Sequence, residues 1–206
     1  MKSLTLTIIY IFFAVKVIGQ NWDIDLLKDI NLNRNTNLDG IFTGITNSAA
    51  PIAFGVPTIL LFIGLIKKDS ALKRNGIYIV VSIITSATIS SILKYAINKS
   101  RPFETYTYIQ NVVEGGSPSF PSGHTTDAFA LATSFSLTYP KWYIIFPSYT
   151  WAIAVGYSRM HLGVHYPSDV LVGAIIGSGL AWLSYKLNKW FKKNVNESPI
   201  IFNNNL

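Results

Sequence analysis

The chain of 206 residues contains no cysteine and little charge: Asp, Glu, Lys and Arg make up 13% of it, about half the roughly one-quarter usual in soluble domains. The missing cysteine excludes a disulfide scaffold and a cysteine-ligated metal site. Low charge combined with 50% hydrophobic residues excludes a disordered chain. No long internal repeat, low-complexity linker or second domain is present. The charge that remains is one-sided, with 17 Lys and Arg against 10 Asp and Glu and a formal net charge of +7. These basic residues form neither one face nor one tract, which argues against nucleic acid. They sit at the ends of apolar runs, where a bilayer places them.

Lys2, an apolar run over residues 4–15 and Gly19 before Gln20 give the pattern of a secretory signal peptide over residues 1–19. Lys16 interrupts it, and an uncleaved first anchor is the alternative. Residues 20–48 are the most polar part of the chain. Trp22, Ile24, Leu26, Leu27 and Ile30 recur there at helical spacing among Asp23, Asp25, Lys28 and Asp29, until an Asn-rich run over 31–37 breaks the pattern. This predicts one or two amphipathic helices lying at the outer surface. Apolar stretches follow over 49–66, 77–97, 125–139, 142–157 and 169–190. About twenty residues cross the hydrocarbon, so the third and fourth are short. The expected fold is all-α: a polytopic membrane helical bundle with five transmembrane helices after the signal peptide, six if it is uncleaved, plus the outer amphipathic helices. Residues 49–193 form the membrane core and 194–206 a polar tail.

Five crossings after an exported start put residues 67–76 and 140–141 inside and 98–124 and 158–168 outside. Charge tests this independently. Lys2, Lys67, Lys68, Lys73, Arg74, Lys141, Lys186, Lys189, Lys192 and Lys193, ten of the 17 basic residues, fall inside, as the positive-inside rule requires. Outside lie Lys28, Arg34, Lys94, Lys99, Arg101 and Arg159, with Lys16 ambiguous.

Three sequence pieces fall at outer helix ends or outer loops in that topology: Lys94 with Arg101-Pro102, Pro121-Ser122-Gly123-His124, and Ser158-Arg159 with His165 and Asp169. Cations in such places are costly to keep. Helical continuation from Lys94 over about two turns puts Arg101 on a similar face, and Pro102 ends the helix. With Arg159 from a distant loop, three cations can hold a dianionic phosphate, the guanidiniums through bidentate bonds; snorkelling to the interface is the plain alternative. Gly123 lets backbone approach a ligand, the first turn of the following helix is a ready anion site, and Ser122 can cap that turn or donate to a phosphate oxygen. Pro167 can open the last helix, so that Asp169 reaches one ring nitrogen of His165 and leaves the other its lone pair; a helix cap is the simpler role for Asp169. Imidazole is a competent nucleophile near neutrality. His124 would stand across the site as general acid.

This ordered set resembles the signature of the type 2 phosphatidic acid phosphatase family, which shares its site with the vanadium haloperoxidases. The match covers residues 94–169 without a gap. The resemblance implies a helical phosphatase core with no metal or other cofactor, in which His165 attacks phosphorus to give a phosphohistidine that water hydrolyses. Lys94, Arg101, Ser122, Gly123 and Arg159 then hold the phosphoryl oxygens. Such chemistry needs positioning and fixed cations more than a metal, and no carboxylate cluster is available for two metals. The implied substrate is a membrane lipid phosphate or diphosphate, with undecaprenyl diphosphate first, then phosphatidylglycerol phosphate, phosphatidic acid and the 1-phosphate of lipid A. The implied location is a bacterial inner membrane, with the site facing the periplasm. Competing expectations are a vanadium-dependent haloperoxidase, a lipid phosphotransferase, and a non-enzymatic anion-binding or transport protein.

Outside the pattern, Glu104 and Glu114 are expected in solvent beside Gly115-Gly116. Asp127 either tunes His124 or complements the helix dipole. His161 is expected in a loop, facing solvent or a headgroup. Tyr106, Tyr108 and Trp142 fit interfacial aromatics.

Overall fold

The computed structural model describes residues 22–197, with side chains described to residue 190. The expected signal peptide and residues 198–206 of the expected tail lie outside the described residues. Every regular element among the described residues is a helix: α1 over 22–32, a 3-10 turn Thr36–Leu38, α2 Asp39–Asn47, α3 Ala49–Ile66, α4 Ser70–Ile97, α5 Pro102–Thr105, α6 Gly123–Thr138, α7 Trp142–His161 and α8 Pro167–Glu197.

Local chemistry sets the boundaries. Asp69 opens α4 by accepting from the amides of Ala71 and Leu72, as an N-cap does. Asn98 closes it in the left-handed region at φ 48°, a conformation Asn tolerates. The expected continuation from Lys94 to Arg101 is therefore corrected: the helix ends at Ile97, and Pro102 starts α5 at its first turn instead of stopping α4. Pro167 opens α8 as expected. That helix runs beyond its apolar part to Glu197, since no Gly or Pro interrupts the sequence from Leu180 to Ser198.

Helix α6 sits at the centre, packed against α3, α4, α7 and α8. Close approach to α8 depends on glycine: a Cβ on Gly177 would lie 2.2 Å from the carbonyl oxygen of Thr126, and one on Gly173 2.7 Å from that of Ser122. Small residues at helix contacts are the usual device of membrane bundles. The interior is correspondingly small and partly polar. Ser82, Ser86 and Ser134 are fully buried, with Ser134 donating to Ser82 and Ser86 to the Ser82 carbonyl. Large apolar side chains point outward instead, among them Ile59, Phe62, Ile84, Ile92, Phe146, Ile153, Leu171 and Ile175. A water-soluble fold would bury these. Thr36–Ile66, Ser70–Thr105 and Pro167–Trp190 are each long and apolar enough to cross a membrane, and the protein is an integral membrane protein. Helices α6 and α7 do not reach that apolarity; α6, with Thr125, Thr126, Thr133 and Ser134 buried, is shielded by its neighbours.

The connections 98–122 and 162–166 meet at one end of the bundle, where Val112 N–H donates to Leu162 O and Ser122 N–H to Asp169 O. Helix α1 closes over them. Its Ile24 and Leu27 pack with Ile109 and Tyr166, and buried Asn31 donates to the carbonyls of Gln110 and His161 while accepting from Gln110 N–H. The apolar face expected on a bilayer surface is thus spent on the protein. Two helices do flank the Asn-rich break, but α2 runs into α3 through Ser48 alone and packs on α7.

Candidate active site

The three predicted cations converge. The charges of Arg101 and Arg159 both act on Lys94, and all three act on His124. Lys94, buried near the end of α4, donates to the carbonyls of Pro118 (2.6 Å) and Pro121 (3.0 Å), which leaves one of its three N–H groups. Arg101 donates from Nε to Ser117 O and from Nη1 to Val164 O, tying both connections together. Gly115 lies against its guanidinium, where a Cβ would sit 2.5 Å from Nε. Arg159 is on the last turn of α7, not on the expected loop, because α7 runs on to His161. Its Nη1 donates to Thr46 of α2, whereas its buried Nε has no partner among the described residues. A buried donor left unpaired costs about 1–3 kcal/mol, and a phosphate oxygen would remove that cost.

His165 lies in the 162–166 connection with 2% of its surface exposed. Its Nδ1 is the ring nitrogen that faces the carboxylate, 3.5 Å from Asp169 Oδ2. Ser119 joins the pair: its hydroxyl donates to Asp169 Oδ2 at 2.5 Å and lies 3.4 Å from His165 Nδ1. Tyr166 N–H also donates to Oδ2, and Lys99 Nζ to Oδ1. Asp169 therefore caps the first turn of α8 and supports the histidine together. Burial, aided by the Arg159 and Arg101 charges and opposed by Asp169, pushes His165 down to about 3. The ring stays neutral with a lone pair available.

Ser122 makes no cap bond to the first turn of α6; its hydroxyl pairs with Thr125 Oγ1 at 2.8 Å. The first-turn amides so keep the open side that an anion can use. A Cβ on Gly123 would meet nothing of the protein within 4 Å, so the fold itself does not demand glycine there. His124 stands one residue ahead of the apolar stretch of α6. Burial, then the charges of Arg159, Arg101 and Lys94, push it down to about 4.

Two expectations change. His161 is not a loop residue: it ends α7, is buried, and its Nε2 sits 2.8 Å from Asp39 Oδ1, with the tilted ring of Phe42 4.3 Å away between centroids. The packing of α2 on α7 delivers those partners. Asp127 makes no hydrogen bond to His124, and its buried Oδ1 has no partner among the described residues. Glu104, exposed as expected, also accepts from Arg101 N–H. Tyr106 packs on the Ile24–Leu27 cluster. Sequence reasoning missed Lys99, Ser119, Thr46 and Asp23. Of these only Lys99, two residues before Arg101, carried a visible signal.

A family model described as the PAP2 superfamily matches residues 75–193. An undecaprenyl-diphosphatase of Sulfolobus acidocaldarius is 30% identical over 190 residues, covering 89% of each chain. A lipid A 4'-phosphatase of Bacteroides thetaiotaomicron is 38% identical over 88 residues, 43% of this chain and 39% of that one. The crystal structure of a transmembrane PAP2-type phosphatidylglycerolphosphate phosphatase from Bacillus subtilis superposes with a TM-score of 0.70 at 25% identity, covering 93% of this chain and 96% of that one.

Proposed function

The chain belongs to the PAP2 superfamily and is a lipid phosphate or diphosphate phosphatase, and from that premise we propose that His165 is its nucleophile and that undecaprenyl diphosphate is the first substrate to test. One observation carries the assignment. The charges of Arg101 and Arg159 act on both His124 and His165, so two histidines, one in the first turn of α6 and one in the 162–166 connection, face one cationic pocket.

In the proposed reaction the lone pair on Nε2 of His165 attacks phosphorus. The bond from that phosphorus to the leaving oxygen breaks, the alkoxide oxygen of a lipid monophosphate or the bridging oxygen of a diphosphate whose lipid phosphate departs, and His124 delivers a proton to the leaving group. The imidazolium left by attack keeps its Nδ1 proton toward Asp169, as the orienting acid of a hydrolase triad does. Water then gives a proton to His124 and attacks phosphorus. The phosphorus–nitrogen bond breaks, its electron pair returns to His165, and inorganic phosphate leaves. Lys94, Arg101, Arg159, the Ser122 hydroxyl and the amide at Gly123 hold the equatorial oxygens, where charge gathers in the transition state.

We read α6 and α7 as the remaining two crossings, from residue 125 and to residue 157, for five in all. The outward Phe146 and Ile153 of α7 support this, and the glycine-mediated seat of α6 explains how a short helix can be held. The site end then lies at the outer rim of a bacterial inner membrane, facing the periplasm, where a lipid phosphate meets the pocket while its chain stays in hydrocarbon. The relatives named for undecaprenyl diphosphate, lipid A and phosphatidylglycerol phosphate share that substrate form.

The test is phosphate release from detergent-purified protein given a panel of lipid phosphates and diphosphates, with and without chelator. His165→Ala should abolish release, and quenching the wild type in alkaline detergent should trap a phosphoenzyme, stable to base and labile to acid, that is absent from the variant. Release that survives in His165→Ala rejects the nucleophile, and release lost on chelation rejects the metal-free route.

A further inference from the structure

We propose that Lys99, held by Asp23 of α1, is a positioning residue that fixes Asp169 behind the nucleophilic His165. This rests on the reading of His165 given above and names groups that the three-part pattern does not contain.

Asp169 is fully buried, and its two oxygens are served differently. Oδ2 accepts from the Ser119 hydroxyl and Tyr166 N–H and faces His165. Oδ1 accepts from Lys99 Nζ at 2.8 Å, its one hydrogen bond among the described residues. A buried carboxylate without a counter-charge is strongly unfavourable, and the nearest base that could share a proton with it is His165. With the ammonium in place, Asp169 can stay ionised without drawing a second proton onto the ring.

Lys99 is itself held from several sides. Its ammonium lies 3.9 Å from the centroid of the Tyr166 ring, 3.3 Å from Ser168 Oγ and 3.4 Å from Asp23 Oδ2. Asp23 in turn accepts from Ser168 N–H at 2.7 Å and from Ser168 Oγ at 2.5 Å, in the first turn of α8. The carboxylate of α1 thus fastens both the lysine and the helix start that carries Asp169. The other charged groups facing the pair are Lys94 of α4, Arg101 of the 98–122 connection and Arg159 of α7. Their hydrogen bonds go elsewhere, those of Lys94 and Arg101 to backbone carbonyls and that of Arg159 to Thr46, so they do not substitute for a cation on Oδ1.

Full-length Lys99→Met, Lys99→Arg and Asp23→Asn proteins in detergent test this by two routes. Turnover on a lipid phosphate that the wild type hydrolyses should fall about tenfold or more in kcat for Lys99→Met, with KM nearly unchanged, and Lys99→Arg should restore most of it. Independently of turnover, ¹⁵N-histidine NMR follows protonation of the His165 ring. In Lys99→Met its midpoint should rise by about one pH unit or more, the size expected when an opposite charge is removed from such a cluster. Asp23→Asn should move both readouts in the same direction by less, and it decides the matter if Lys99→Met fails to fold. An unmoved His165 midpoint in the folded variant, or equal losses in Lys99→Met and Lys99→Arg, overturns the proposal. Retained activity in His165→Ala instead overturns the reading of the nucleophile, so the two failures are distinguishable.

Discussion

The hydroxyl of Ser119 stands between the ring of His165, 3.4 Å from Nδ1, and the carboxylate of Asp169, to which it donates at 2.5 Å. A charge-assisted bond of this kind contributes about 1.5–3 kcal/mol when formed. Ser119→Ala leaves Tyr166 N–H and Lys99 on the carboxylate, so the helix cap survives and the aim of the ring loosens. The expected result is a kcat lower by about tenfold, equivalent to about 1.4 kcal/mol of barrier, with KM close to wild type and a melting temperature lower by several degrees. Steady-state kinetics beside a thermal melt checks this, and a variant with unchanged kcat would leave Ser119 a packing role.

Protonation of the two histidines gives a pH signature. In the free site His124 is pushed down to about 4, by burial first and by Arg159, Arg101 and Lys94 after it. A general acid must carry its proton, so the competent fraction falls as pH rises above that value. His165, pushed down to about 3, stays neutral throughout, so the nucleophile sets no acid limb near neutrality. Since kcat/KM reports the free enzyme, its His124-dependent part should decline from about pH 5 to pH 8. The decline in kcat should come at higher pH, because a bound phosphate anion favours the imidazolium. His124→Ala should lower kcat by about 10²–10⁴ and remove this decline; comparing the two profiles cancels ionisation of the substrate itself. Identical profile shapes in the two proteins would reject His124 as the acid.

The gathering of the candidate site residues is legible in sequence where residue type and fixed spacing mark them. Lys94, Arg101, His124, Arg159, His165 and Asp169 all reach one end of the bundle, and Pro167 opens α8 where its ring fits. What was not legible depends on pairs far apart in the chain. Asp39 and Phe42 cover His161 only because α2 packs on α7, and Asp23 reaches Ser168 only because α1 folds back over the site. The break in α4 was misjudged for a local reason: Asn98 takes the left-handed conformation, so the helix stops before the proline that seemed to end it. Helix α6 is short, 16 residues, and modest in apolarity, because its buried Thr and Ser side chains meet other helices.

Packing at Gly177 sets the distance between the helices that carry Ser122, His124 and Asp169. A Cβ there would meet the Thr126 carbonyl oxygen at 2.2 Å and Ala130 N at 2.9 Å, both backbone atoms that cannot swing aside. Gly177→Val should therefore force α8 from α6 at a cost of about 1–3 kcal/mol, lowering both melting temperature and turnover. Gly179, where a Cβ meets nothing within 4 Å, is the control: Gly179→Ala should change neither. Melting in detergent with parallel phosphate release tests the pair, and a Gly177→Val protein as stable and active as wild type would contradict the close seat of α6.

Orientation can be read directly because the chain has no cysteine of its own, so one introduced thiol reports one position. Ser100 is exposed at the site end, between Lys99 and Arg101, and Ser70 is exposed at the far end, at the start of α4. If the pocket opens to the periplasm, a membrane-impermeant maleimide should label Ser100→Cys in intact bacterial cells and Ser70→Cys only after the inner membrane is permeabilised. The positive-inside bias favours this orientation, since Lys67, Lys68, Lys73 and Arg74 cluster beside Ser70. The reverse labelling pattern would place the pocket on the cytoplasmic face, and its substrate would then have to be a lipid phosphate of the inner leaflet.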